Sequence, residues 1–203
     1  MEIGIFGGTF DPVHKGHLAA AQEVYKQFRL DEVWFMPAPS PPHKTGRVIT
    51  EISFRLDMLK IAIGKINYFK CSDFELGIKG KSYTCETVLK LREEYSKTAF
   101  SLIIGTDSLF EIETWKNPDI IMKNCRLLAV ARDYEHSISD MRRQADLLQA
   151  KYGAKIALVE YIPFELSSTH IRKLLAEKGN AEKYLDKEVL DYIYQHGLYQ
   201  SLK

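Results

Sequence analysis

The sequence has few cysteines, no excess of either charge and no long apolar run. Its 3 cysteines, Cys71, Cys85 and Cys125, are an odd number with no CxxC pair among them. That pattern argues against a disulfide framework and for a reducing compartment. Lys and Arg number 28 against 27 Asp and Glu, a formal net charge of +1. A sequence-independent nucleic-acid binder concentrates positive charge for phosphates, so no nucleic-acid partner is expected. No stretch stays apolar for the ~20 residues of a membrane span, and the start, with Glu2 inside a short apolar run, lacks the pattern of a signal peptide. A cytoplasmic protein with no membrane partner is the expectation. Repeats and low-complexity tracts are also missing. The one Pro-rich stretch, PAPSPPHKTGR, lacks linker length and reads as an inserted loop, so residues 1–203 are expected to form a single domain.

What is present is an alternation of β-prone and helical segments. Strands are expected at Ile3–Phe6, Glu32–Met36, Phe69–Glu75, Phe100–Ile104, Arg126–Ala131 and Lys155–Val159. Helices are expected at Gly16–Phe28, Glu51–Ile63, Tyr83–Glu94 and Ser139–Tyr152, with short ones at Ser108–Trp115 and Asp119–Lys123 and two more starting at Ser168 and Lys187. Strand–helix alternation implies right-handed βαβ units and a doubly wound parallel sheet of the α/β class. Ligands of such sheets sit beyond the carboxyl ends of the strands, so chemistry is sought in the loops that follow them.

The first of these loops is IFGGTFDPVHKGH, from Ile5 to His17. Gly7 and Gly8 allow close approach of backbone to a ligand, and Pro12 fixes a bend. A helix starting near His14 brings donor N–H groups and partial positive charge to this corner, which suits phosphate. His14 and His17, three residues apart, can then point the same way. Metal binding by the two imidazoles with Asp11, and a purely structural role, remain as alternatives. No GK[ST] follows and no GxGxxG is present, so neither a Walker loop nor a dinucleotide fingerprint is offered, and an NAD-dependent oxidoreductase is disfavoured. Near the other end, SSTHIR opens a helix with Ser167, Ser168 and Thr169 as capping candidates and Arg172 one turn on. Taken alone, that stretch reads as a capped helix with a surface arginine.

GGTFDPVHKGH resembles the signature of the HxGH nucleotidylyltransferase superfamily, with the motif at His14–His17, and SSTHIR is similar to its second signature. The resemblance runs from Gly4 nearly to Tyr199. It implies a Rossmann-like sheet of the nucleotidylyltransferase type and transfer of a nucleotidyl group from a nucleoside triphosphate with release of pyrophosphate. The PAPSPPHK loop ending at Lys44, the SYT turn before Cys85 and the GTD…W segment from Gly105 to Trp115 are similar to the nicotinate-nucleotide adenylyltransferase branch. For that branch the resemblance implies ATP and nicotinate mononucleotide as substrates, in NAD biosynthesis, with Mg²⁺ arriving on ATP and no metal site of the protein's own. It implies His14, His17, Lys44 and Arg172 as catalytic groups. Gly7, Gly8, Thr9, Phe10, His17, Gly105, Asp107, Ser167, Ser168, Thr169 and Arg172 would bind ATP. Lys44, Thr84, Trp115 and Asp107 would bind the acceptor, with Trp115 stacked on its pyridine ring and Thr84 and backbone near Trp115 on its carboxylate. From the residues alone, Trp115 serves equally well as a core side chain.

Three positions depart from the pattern: Lys116 where an aromatic residue is common, Glu86 where Asp is usual, and Asp133-Tyr134 where a Pro-Gly turn is common. Lysine at 116 favours a carboxylate. Competing acceptors are phosphopantetheine, or a small phosphate taking a cytidylyl group from CTP; a nucleotide sensor without turnover is a third reading. Homo-oligomerisation is compatible with the sequence, with no face singled out.

Overall fold

The structure is a computed structural model and describes residues 1–39, 49–77, 82–131, 137–159 and 167–200. Six strands, β1 (Glu2–Gly8), β2 (Glu32–Pro37), β3 (Phe69–Cys71), β4 (Ala99–Gly105), β5 (Arg126–Val130) and β6 (Ile156–Val159), form one sheet in the order β3-β2-β1-β4-β5-β6, and every neighbouring pair is parallel. This is the doubly wound order, and the chain reverses direction across the sheet between β1 and β4.

A parallel sheet must be covered on both faces, and the period-2 alternation of the strands divides the core accordingly. Val33 and Phe35 of β2, Ile103 of β4 and Leu128 and Val130 of β5 belong to one layer. Ile3 and Ile5 of β1, Phe100, Leu102 and Ile104 of β4, and Leu127 and Ala129 of β5 belong to the other. In the first layer pack α1 (Lys15–Phe28), α2 (Ile52–Ile63), α7 (Ser168–Ala176) and α8 (Lys187–Gln195), through residues such as Val24, Met58, Ile171 and Ile193. In the second pack α3 (Thr84–Glu94), α4 (Thr106–Glu111), α5 (Pro118–Asn124) and α6 (Ile138–Tyr152), through Val88, Leu109, Ile121 and Met141.

Three expected elements change by more than one residue at an end. Gly7 and Gly8 lie inside β1, paired with Met36 and Pro37, and do not follow it. The residue that turns the chain with positive φ is Phe10 (φ 49°), and neither glycine does so. Gly8 serves packing: a Cβ there would lie 2.9 Å from the Phe10 ring. The strand expected at Phe69–Glu75 stops at Cys71, because β3 is an edge strand paired only with β2, and Ser72 and Asp73 favour turns. The segment expected as one helix over Ser108–Trp115 is α4 followed by a 3₁₀ turn, Ile112–Thr114.

Candidate active site

The β1–α1 corner is held by two histidines. His14 is the N-cap of α1; its Nδ1 accepts the His17 backbone N–H at 3.3 Å, and the His17 Nδ1 accepts the His14 N–H at 3.2 Å. This is a capping box built from imidazoles in place of Ser and Glu. It stacks the rings, with centroids 3.6 Å apart and planes 25° apart. Because each Nδ1 accepts a backbone hydrogen, the ring proton belongs on Nε2, and both Nε2 atoms are donors. The His17 ring is further fixed by edge contacts with Phe6 and Phe10.

The helix N-terminus contributes less through its amides than its sequence suggests. The Lys15 N–H is taken by the Tyr184 carbonyl at 3.0 Å, and the His17 N–H stays with His14. The groups that this corner could turn toward an anion are therefore the imidazole Nε2 donors and the helix dipole. Asp11, 2% exposed, is not placed as a metal ligand beside the histidines: its carboxylate accepts the Tyr199 hydroxyl at 2.7 Å. Among the described residues no group of three His, Cys, Asp or Glu is placed to hold a metal ion.

The second signature is joined to the first. Ser167 caps α7 by accepting the His170 N–H at 3.2 Å, and the Ser168 hydroxyl donates to the Pro12 carbonyl at 3.0 Å. Arg172 donates to the Asp11 carbonyl and, at 2.9 Å, to the Thr169 hydroxyl. Two segments 161 residues apart in sequence thus form one cationic, donor-rich corner.

Beside it opens a cavity of about 620 Å³ at the carboxyl ends of β1 and β4. Gly7, Gly8, Thr9, Thr84, Gly105, Asp107 and Trp115 line it, as do Tyr83 and Lys116. His14, His17, Ser167, Ser168, Thr169 and Arg172 do not; Phe6, which lines the cavity and touches the His17 ring, marks the boundary. At Gly7 an added Cβ would meet nothing within 4 Å, so open space lies above that backbone. Trp115 is half-buried and serves both expected roles, packing on the second core layer while lining the cavity. Its backbone N–H is donated to the Ile112 carbonyl at 3.1 Å and is not available to a ligand. Thr84 is the first residue of α3, whose N-cap Tyr83 makes no side-chain cap, so this helix start opens on the cavity. Phe10 is 2% exposed with its ring among Phe6, Phe35 and His17, so the ring is packed inside and is not offered to a ligand. Lys44, its neighbour His43 and the Asp133-Tyr134 departure lie outside the described residues.

Sequence reasoning missed Arg55. It is 1% exposed, and its guanidinium donates to four carbonyls: Thr50 (2.8 Å), Thr9 (2.8 Å), Ala38 (3.0 Å) and Pro39 (3.3 Å). Burial pushes its pKa down, and the neighbouring Asp11 carboxylate, with a smaller contribution from Tyr199, pulls it back up. The signal was present: Arg55 falls on the apolar stripe of α2 with Met58, Leu59 and Ile63, where an arginine is out of place unless its donors are engaged. Tyr199, in the tail that follows the helix expected from Lys187, was also missed. α8 ends at Gln195, Gly197 and Tyr199 take positive φ, and the phenol returns to Asp11. Burial and the Asp11 carboxylate push the phenol's pKa up, so it remains a hydrogen-bond donor.

A doubly wound sheet with paired histidines at its first corner and a serine–arginine helix start beside them defines a nucleotidylyltransferase, and the chain belongs to the cytidylyltransferase-like family, whose model matches residues 5–174. Relatives from Bacillus mycoides (40% identical, covering 98% of this chain and 99% of the relative) and Lachnoclostridium phytofermentans (36%, 98% of each) are both named "Probable nicotinate-nucleotide adenylyltransferase". Within the family, the chain belongs with the nicotinate-nucleotide adenylyltransferases. The fold is also that of a solved Plasmodium falciparum nicotinic acid mononucleotide adenylyltransferase complexed with NaAD, at a TM-score of 0.80 and 18% identity over 98% of this chain and 97% of that one. Among the described residues no helix is long and apolar enough to cross a membrane.

Proposed function

We infer that the protein transfers the adenylyl group of ATP to nicotinate mononucleotide, giving nicotinate adenine dinucleotide and pyrophosphate. The observation that carries this reading is the juxtaposition of a donor-rich corner with a cavity whose lining includes an indole and a lysine. One suits a polyphosphate; the other suits a flat anionic ring.

A phosphate oxygen of the acceptor bonds to the α-phosphorus of ATP. The bond from that phosphorus to the bridging oxygen breaks, and pyrophosphate leaves with the electron pair. The nucleophile is already an anion, so no general base is needed, and catalysis rests on positioning and charge stabilisation. His14 and His17 donate from Nε2 to phosphate oxygens. Arg172 adds a cation that the Asp11 carbonyl and Thr169 hydroxyl hold at the corner. Lys44 is assigned to the same task. Asp107, exposed at the start of α4, is assigned to a ribose hydroxyl, and the open space above Gly7 supports a nucleotide lying over that backbone. Donors of this kind, without a carboxylate cage, fit a Mg²⁺ held mainly by the phosphates of ATP, where it would neutralise charge on the leaving pyrophosphate.

The reading is tested by following ATP labelled at its α-phosphorus. The label is expected in a dinucleotide of the mass of nicotinate adenine dinucleotide, with unlabelled pyrophosphate formed in equal amount. Label appearing in AMP or ADP, with no dinucleotide, would overturn it.

A further inference from the structure

Lys116 and Glu86, which are 30 residues apart in sequence, meet each other in the structure. Lys116 Nζ lies 2.6 Å from Glu86 Oε1 and 4.2 Å from the centroid of the Tyr83 ring. Glu86 sits in the first turn of α3, where the helix dipole favours its charge. The lysine therefore stands over the mouth of that helix start, fixed by an ion pair on one side and an aromatic face below.

We propose that Lys116, oriented by Glu86, is the residue that makes this enzyme prefer an acceptor with an anionic ring substituent over its neutral amide. The proposal rests on the proposed reading of the acceptor as a pyridine mononucleotide. Among the described residues lining the cavity, Lys116 is the only cation; the charged remainder are the carboxylates Glu75 and Asp107. Glu75 accepts the hydroxyls of Ser82 (3.0 Å) and Thr87 (2.7 Å), which helps to hold the start of α3. The acceptor's phosphate belongs at the histidine corner, so its ring lies toward Trp115, next to Lys116. The backbone N–H of Trp115 cannot meet a carboxylate there, because Ile112 holds it. An ammonium carries three donors, and Glu86 uses one of them. The carboxylate of nicotinate gains a charge–charge attraction from Lys116 that a carboxamide does not. Glu86 also makes the effect of losing Lys116 larger, because the unpaired glutamate would then repel the incoming carboxylate.

The test measures kcat/KM for nicotinate and nicotinamide mononucleotides with MgATP. In Lys116→Met the acid-over-amide ratio should fall roughly tenfold or more, through loss on the acid alone. Lys116→Arg should restore most of the ratio. Glu86→Gln, whose amide oxygen still accepts from the ammonium, should keep it, and Glu86→Leu should lower it; an unchanged ratio in Glu86→Leu would remove Glu86 as the positioning residue. A general packing defect would lower both acceptors together, so an unchanged ratio in Lys116→Met overturns the proposal even if turnover falls. If the native protein uses neither pyridine nucleotide, the reading of the acceptor fails and the role of Lys116 falls with it.

Discussion

Alanine in place of His17 lowers turnover by ~10²–10³-fold, roughly 3–4 kcal/mol of transition-state stabilisation, in a protein that stays folded. The two effects separate because His17 does two jobs. Its Nδ1 completes the imidazole capping box, and losing one cap costs only about 1 kcal/mol of stability. In the proposed reaction its Nε2 is assigned to donate where negative charge gathers, as the bridging oxygen departs. Thermal melting and initial rates on the same preparation check both parts. Near-normal turnover in folded His17→Ala would remove the histidine from the mechanism.

Both chemical signatures are local in sequence, which is why they could be read there. HxGH places its histidines three apart, the N-cap to N3 spacing of a capping box, and SST precedes its helix as a cap should. The alternation of strands and helices likewise carries the doubly wound sheet. What could not be read is long-range. Tyr199 meets Asp11 across 188 residues, and Arg55 meets Thr9 across 46. No spacing rule connects such pairs. The engaged amides of Lys15 and Trp115 were hidden because only the folded chain shows that Tyr184 occupies the first and a 3₁₀ turn the second. The pairing of Lys116 with Glu86 shows a further limit, since in the sequence they were two unrelated departures.

The second large effect is expected at Arg55. Its guanidinium ties Thr9, at the β1–α1 corner, to Ala38, Pro39 and Thr50. Those last three flank residues 40–48, the stretch that contains Lys44. Arg55→Met keeps much of the volume but leaves four carbonyls without these donors and removes one cation from beside the buried Asp11 carboxylate. A destabilisation of ~3–5 kcal/mol follows from breaking such a buried charged network. Arg55→Lys keeps the charge but not the planar fork, and should recover less than half of that. Urea denaturation of the three proteins decides the matter. Native-like stability in Arg55→Met would show that the network is not needed to hold the corner.

The central claim is that the donor-rich corner and the neighbouring cavity together join an adenylyl group to a nicotinate nucleotide. It is tested most directly by pyrophosphate release with MgATP, comparing nicotinate mononucleotide, nicotinamide mononucleotide and phosphopantetheine side by side. Rapid release with the nicotinate form, weaker release with the amide and none with phosphopantetheine is the expected result. Release with phosphopantetheine alone, or with none of the three, would contradict it.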